Sequence, residues 1–96
     1  MFKLQFVLYS ADEAREALTG LDRALEPAEM SPLTKLLLRD QIDMTLRQIA
    51  NQMSMTNLQA FRVYRTFEGN GYKVSIKAVS PPKGTIAQLK RFLGRL

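Results

Sequence analysis

The chain has 96 residues, of which 46% are hydrophobic and 24% charged, as is ordinary for one globular domain. It contains no cysteine and no histidine, which excludes disulfides, thiolate or imidazole metal ligands and the usual nucleophile–base pairs. No apolar run approaches the roughly 18 residues of a membrane span, and the first residues lack the layout of a signal peptide. We therefore expect a single cytoplasmic domain over residues 1–96, without a membrane partner, cofactor or metal.

The net charge of +5 hides a division between the two halves of the chain. Residues 1–48 contain six basic and eight acidic side chains, a net charge of −2, whereas residues 49–96 contain eight basic side chains and one acidic, a net charge of +7. A half this basic favours a polyanion or an acidic protein as partner. The alternative is that the two halves neutralise each other, within the fold or across a homodimer.

The first two elements are predicted from alternation followed by a capping signal. Alternating apolar residues over residues 2–9 predict a strand with one buried face. A helix is predicted to begin at Ser10, which forms a capping-box pair with Glu13, and to continue through Gly20 until Pro27. The expected inner residues of the strand are Phe2, Leu4, Phe6 and Leu8, its outer residues are Lys3, Gln5, Val7 and Tyr9, and the helical stripe is Ala14, Leu18, Leu21 and Leu25.

A second helical signal begins at Ser31, a favoured N-cap, followed by Pro32 at the first helical position. The apolar spacing that follows predicts either one helix over residues 32–53 or two helices with a break near Asp43. The sequence leaves both alternatives open. The expected buried stripe is Leu33, Leu37, Leu38, Ile42, Leu46, Ile49 and Met53.

Residues 60–79 are rich in strand-forming side chains on both sides of Asn70-Gly71, a pair favoured in hairpin turns with positive φ at both positions. A last helix is predicted from Thr85, with Gln88 completing a capping box. The order β-α-α-β-β-α indicates an α+β fold in two layers, a three-stranded antiparallel sheet with helices packed on one face. The inner face of the hairpin is expected to carry Phe61, Val63, Phe67, Val74, Ile76 and Ala78, with Arg65 on the same face at an edge or turned out by a bulge.

The opposite face of the hairpin combines basic side chains with an aromatic ring. Bases stack on such a ring while lysine and arginine neutralise phosphates, as in proteins that bind single strands. The sequence therefore predicts a non-enzymatic protein that binds a polyanion, first of all nucleic acid, either single-stranded or RNA. Ordinary solvation of a half-buried sheet is the competing explanation. The predicted contact residues are Arg62, Tyr64, Lys73 and Lys77 on the sheet and Lys90, Arg91 and Arg95 on the last helix.

Residues 45–60 resemble the helix-turn-helix of DNA-binding proteins. Ala50 stands where that family has a small residue, Met55 lies in the turn, and Thr56 is in the position that caps the recognition helix. The sequence departs from the pattern at Ser54, where glycine is usual, and at Ala60, where a larger apolar residue is usual. The resemblance implies that the groove would be contacted by Asn57, Gln59 and Arg62.

Two other function classes stay open. In size, charge and element order the chain is similar to small basic bacterial toxins that cut mRNA, although it ends in a predicted helix where they usually have a strand. That similarity implies a ribonuclease using Arg62, Tyr64, Arg65 and Lys73. The other class is a protein-interaction or homodimeric assembly module, like phage or plasmid accessory proteins, which would use a sheet edge or the methionines at positions 44, 53 and 55.

Overall fold

A computed structural model of the chain describes residues 1–55 and 60–80. It confirms the α+β class, with helices packed on a three-stranded sheet. The last helix, predicted from Thr85, lies outside the described residues. No helix in the described part is long and apolar enough to cross a membrane. The elements are β1 (Phe2–Leu8), α1 (Ala11–Thr19), α2 (Leu21–Leu25), α3 (Pro32–Met55), β2 (Phe61–Gly69) and β3 (Tyr72–Ser80).

The two predicted helix starts within the described residues, at Ser10 and Ser31, are confirmed by side-chain caps. The Ser10 Oγ accepts a hydrogen bond from the backbone N–H of Glu13 at 3.2 Å, and the Glu13 carboxylate accepts one from the backbone N–H of Tyr9 at 3.2 Å. At α3, the Ser31 Oγ accepts from the backbone N–H of Thr34 at 3.2 Å. These bonds satisfy N–H groups that have no partner within the helix.

The first helical segment is two helices rather than the one predicted. α1 ends at Thr19 and α2 begins at Leu21, because Gly20 leaves the helical region with φ −96° and ψ 5°. A glycine has little propensity to continue a helix and packs no side chain that would hold it there. Leu21 and Leu25 are buried nevertheless, and the segment ends before Pro27 as expected.

α3 is one continuous helix, which decides between the two alternatives for residues 32–53. The helix does not break near Asp43. The Asp43 carboxylate accepts a hydrogen bond from the side chain of Arg47, one turn later in the same helix, at 2.6 Å. The prediction that Leu33 and Leu37 belong to the buried stripe is wrong, because their spacing places them on the other side of the helix and leaves them 66% and 57% exposed. The residues that α3 buries are Leu38, Ile42, Leu46, Ile49, Ala50 and Met53.

The sheet is mixed, so the prediction of a wholly antiparallel sheet is wrong. Its order is β1-β3-β2, with β2 and β3 antiparallel and β1 and β3 parallel. A first strand paired with β2 would have made the sheet antiparallel, but the centre is occupied by β3. Val74, Ile76 and Ala78 of β3 are completely buried, and a central strand is the position that buries most apolar surface.

The register explains how the sheet accommodates Arg65. Arg65 lies opposite Ile76, whose side chain is buried, so both residues belong to the inner face as their parity predicted. The pairing of β2 with β3 is continuous from Phe61 to Gly69, which leaves no bulge. Because β2 is an edge strand, the Arg65 side chain reaches water from the inner face.

The hairpin turn is confirmed, but its conformation differs from the expected one. Gly71 has φ +89°, whereas no described residue other than glycine has a positive φ, so Asn70 does not share this conformation. In a type II turn only the second central residue has a positive φ, whereas in a type I′ turn both central residues do. The signs of φ in this turn are therefore those of type II. The pairing of Gly69 with Tyr72 closes the hairpin around these two residues.

Candidate nucleic-acid interface

The outer face of the sheet is the face that points away from the helices. Lys3 and Lys73 are partners in register, as are Gln5 and Ser75 one row further along. β2 completes each row, because its residues pair with the same positions of β3. From the start of β1 onward, the rows are Lys3–Lys73–Glu68, Gln5–Ser75–Thr66, Val7–Lys77–Tyr64 and Val79–Arg62.

Four of the predicted contact residues lie together on this outer face. Arg62 and Tyr64 come from β2, Lys73 and Lys77 come from β3, and all four side chains are exposed. The Tyr64 ring is 63% exposed, which is a large fraction for an aromatic residue in the middle of a strand. Helical residues pack instead against the inner side chains of β3.

The other predicted residues are placed differently. Lys3 and Gln5 join the outer face from β1, whereas Tyr9 is half-buried beyond the end of that strand. Arg65 lies on the inner face, so the four residues implied by the toxin similarity do not share one surface. The predicted residues outside the described part of the chain are Lys90, Arg91 and Arg95.

Three basic residues of the helical layer, Arg15, Arg39 and Arg47, are engaged by acidic residues of the same layer. Arg15 binds Asp12 at 2.9 Å and also donates to the Ser54 hydroxyl of α3 at 2.7 Å. Arg39 of α3 binds Asp22 of α2, and this hydrogen bond and charge raise the pKa of Arg39 above its ordinary value. The contacts of Arg15 with Ser54 and of Arg39 with Asp22 join α1 and α2 to α3, while the Arg47–Asp43 pair lies within α3. The aspartates of the first half thus bind arginines of that half.

Basic residues of the outer face have no such partners in the part of the chain that the structure describes. Lys3, Arg62, Lys73 and Lys77 form no ion pair within 4.0 Å with any residue that the structure describes. Glu68 is the one acidic residue in the described rows of this face, and although it lies opposite Lys73 it forms no ion pair with it. Within residues 1–55 and 60–80, acidic side chains therefore do not neutralise the basic side chains of the outer face.

Tyr64 lies among polar and basic neighbours on the outer face. Hydrogen bonding to the side chains of Thr66 and Ser75, followed by the positive charges of Lys73 and Lys77, lowers the pKa of Tyr64 below its ordinary value. Thr66 follows two residues later on the same strand, and Ser75 lies opposite Thr66 on β3. The exposed ring therefore lies on the same face as hydroxyl groups and cations.

The helix-turn-helix resemblance does not match the fold. α3 continues through Ser54 and Met55, where the turn was expected. β2 begins at Phe61, so a recognition helix opening at Thr56 would run into a strand. Arg62, which the resemblance placed in a DNA groove, projects instead from the sheet. Strand-forming residues after position 60 explain this outcome.

A second surface was predicted only in part, from the methionines, because Leu33 and Leu37 were assigned to the core. It lies on the side of α3 opposite the buried stripe. Of the three clustered methionines, Met53 is buried whereas Met44 and Met55 are 63% and 79% exposed. We call this the α3 stripe, and it consists of Leu33, Leu37, Met44 and Met55, with Leu36 exposed at its side.

Two further results concern metal binding and similarity to known proteins. No group of three or more acidic side chains suited to hold a metal ion occurs among the described residues. Comparisons with known protein families, with curated proteins and with solved structures found no match.

Proposed function

We propose that the protein binds single-stranded nucleic acid, RNA first of all, through the outer face of its sheet. One observation supports this proposal above the others. Four cations without ion pairs in the described structure share one face with an exposed tyrosine, while the arginines Arg15, Arg39 and Arg47 of the helical layer are paired. Ordinary solvation of the sheet accounts for exposed lysines but not for the exposed ring among them.

The shape of the face favours a single strand over a duplex. Reading the major groove requires a protruding helix or ribbon, whereas a sheet face offers a broad platform on which unstacked bases can lie. Stacking on an aromatic ring contributes about 1–3 kcal/mol per base and tolerates different sequences. Lys73 and Lys77 are four residues apart on one strand, about 13 Å, so their phosphate contacts fall on different nucleotides.

The test is a titration of labelled single-stranded RNA and duplex DNA with the protein, followed by fluorescence anisotropy. If Lys3, Arg62, Lys73 and Lys77 each neutralise one phosphate, the affinity for a single strand falls about 50-fold between about 50 and 200 mM salt. We expect saturable binding of the RNA with a slope of this size and weaker binding of the duplex. Absence of saturable binding at the lower salt concentration contradicts the proposal.

A second candidate function is assembly of the chain with itself through the α3 stripe. Leu33 and Met55 lie 11 residues before and after Met44, so the two ends of the stripe are placed symmetrically about Met44. Two antiparallel α3 helices crossing at Met44 would bring each Leu33 opposite the Met55 of the second copy. The same register brings Asp40 near Arg47 of the second copy, which is favourable in charge.

Self-assembly is tested by sedimentation velocity over a range of protein concentrations. We expect a dimer at high concentration that Leu33→Glu abolishes, since it places a charge in the apolar seam without touching the core. Asn70→Glu, which adds the same charge at the exposed hairpin turn, serves as the control and should leave the dimer intact. A single monomeric species at every concentration contradicts this candidate.

A further inference from the structure

The outer face contains a depression at the end where β1 and β3 begin. Its volume is about 360 Å³, and it is lined by Lys3, Gln5, Lys73 and Ser75 together with Leu4. Because β1 and β3 are parallel and in register, Lys3 lies directly beside Lys73, and Gln5 lies directly beside Ser75. The depression therefore combines two cations with two neutral hydrogen-bonding side chains.

The pairing of Lys3 with Lys73 is unfavourable in the isolated chain. Like charges directly opposite each other on neighbouring strands are destabilising. Neither lysine has an ion pair with a residue in the described part of the chain. An anion seated between the two ammonium groups removes this repulsion, and a dianion does so better than a monoanion.

Acidic residues bound this cationic site on two sides. Glu68 lies in the same row on the far side of β3 and does not line the depression. Beyond the strand starts, Glu29 lines an adjoining depression that it shares with Lys3 and Gly71. A phosphodiester strand that continued past Lys3 would approach Glu29, and one that turned toward β2 would approach Glu68, so a strand lying on the outer face ends favourably at this point.

We propose that the Lys3–Lys73 depression binds the terminal phosphate of the single strand whose base stacks on Tyr64. This inference rests on the proposed function. It adds that the site selects a strand with a phosphate at its end. A terminal phosphomonoester carries about −1.5 to −2 charges at pH 7, more than an internal phosphodiester. Gln5 and Ser75 supply neutral donors, and the row of Ser75 lies between the row of Lys73 and the row of Tyr64, so the phosphate site is near the ring.

The spacing of the rows agrees with this arrangement. The row of Lys3 and Lys73 is four residues along the strands from the row of Tyr64 and Lys77. That separation is about 13 Å, which an extended strand covers in about two nucleotides. The phosphate-binding end and the stacking ring therefore engage neighbouring parts of one short oligonucleotide.

The experiment compares single-stranded RNAs of one sequence with a phosphate at the 5′ end, at the 3′ end or at neither, each carrying an internal label. We expect a phosphate at one of the two ends to tighten binding about tenfold. Lys3→Gln and Lys73→Gln should each abolish this increment. Lys35→Gln removes the same charge from α3 and should preserve it, and Lys77→Gln should weaken all three RNAs by the same factor while preserving it.

Equal affinity of the three RNAs, or an increment that survives Lys3→Gln, overturns the inference and leaves the proposed function standing. If none of the RNAs binds, the proposed function fails, and a separate NMR titration with a nucleoside 5′-monophosphate decides about the depression. Amide shifts confined to Lys3, Gln5, Lys73 and Ser75 would support the anion site. Their absence would overturn it.

Discussion

Tyr64 is the residue on which recognition of a single strand depends most directly. Its side chain is 63% exposed and lies in the same row as Lys77, one row from Ser75 and Thr66. An aromatic side chain has few rotatable bonds and therefore loses little conformational freedom when a base stacks on it. At the scale of the residue, the structure thus adds exposure and named neighbours to a contact that the sequence had predicted only by parity.

Replacing this ring distinguishes stacking from simple packing. Tyr64→Ala is expected to weaken binding of single-stranded RNA by about 5- to 150-fold, which corresponds to about 1–3 kcal/mol for one stacked base. Binding of duplex DNA should weaken less, because its bases are already stacked. Anisotropy titrations measure both, with Tyr64→Phe as the control that keeps the ring. Equal losses for both nucleic acids would mean that the ring only packs.

The β2–β3 hairpin is the element that carries most of the outer face, and its turn depends on one glycine. Gly71 adopts φ +89°, a region that residues with a side chain rarely occupy. A Cβ atom at this position would meet no other atom within 4 Å, so the cost of a side chain there is purely conformational. The helical segment offers a contrast in Gly20, whose φ is negative.

These two glycines make a matched pair of stability tests. Gly71→Ala is expected to lower the free energy of unfolding by about 1–2 kcal/mol, the cost of a left-handed conformation. Gly20→Ala should leave stability unchanged or raise it by about 0.4–1 kcal/mol, because its φ suits alanine and its Cβ would lie 3.8 Å from the nearest atom. Urea denaturation measures both. Equal unfolding free energies for the two variants would show that the turn does not require glycine.

On the scale of the whole molecule, the described structure separates its charges between two layers. In the helical layer, acidic side chains bind arginines of their own layer, as Asp22 does with Arg39. In the sheet layer, cations from all three strands share one face, and Glu68 is the one acidic residue in its described rows. This separation directs the positive field outward from the sheet, where it attracts a polyanion.

Neutralising the sheet layer tests whether this field has a function. The triple variant Arg62→Gln, Lys73→Gln and Lys77→Gln is expected to abolish nucleic-acid binding at about 200 mM salt while leaving the circular dichroism spectrum unchanged, because all three side chains are exposed. The control variant Arg23→Gln, Lys35→Gln and Arg47→Gln removes the same charge from the helical layer. If the two triple variants bind RNA equally well, net charge rather than the outer face explains the binding.

The sequence alone determined which residues form most of the elements and which face of a strand each side chain takes. Alternation assigned Phe2, Leu4 and Phe6 to the inner face, and the capping serines located the helix starts correctly. These features depend on local periodicity and on hydrogen bonds between residues a few positions apart, so a single segment contains the information.

Only the tertiary structure decided which segments are neighbours. The apolar strand β3 occupies the centre of the sheet, so β1 pairs with β3 and runs parallel to it. This choice places Lys3 beside Lys73 and allows Arg65 to reach water from an edge. Likewise, the helices that cover α3 select Leu38 and Ile42 for the core and leave Leu33 outside. Such outcomes depend on the total apolar surface that the whole chain buries. Residues far apart in the sequence contribute to that total, so no local pattern predicts it.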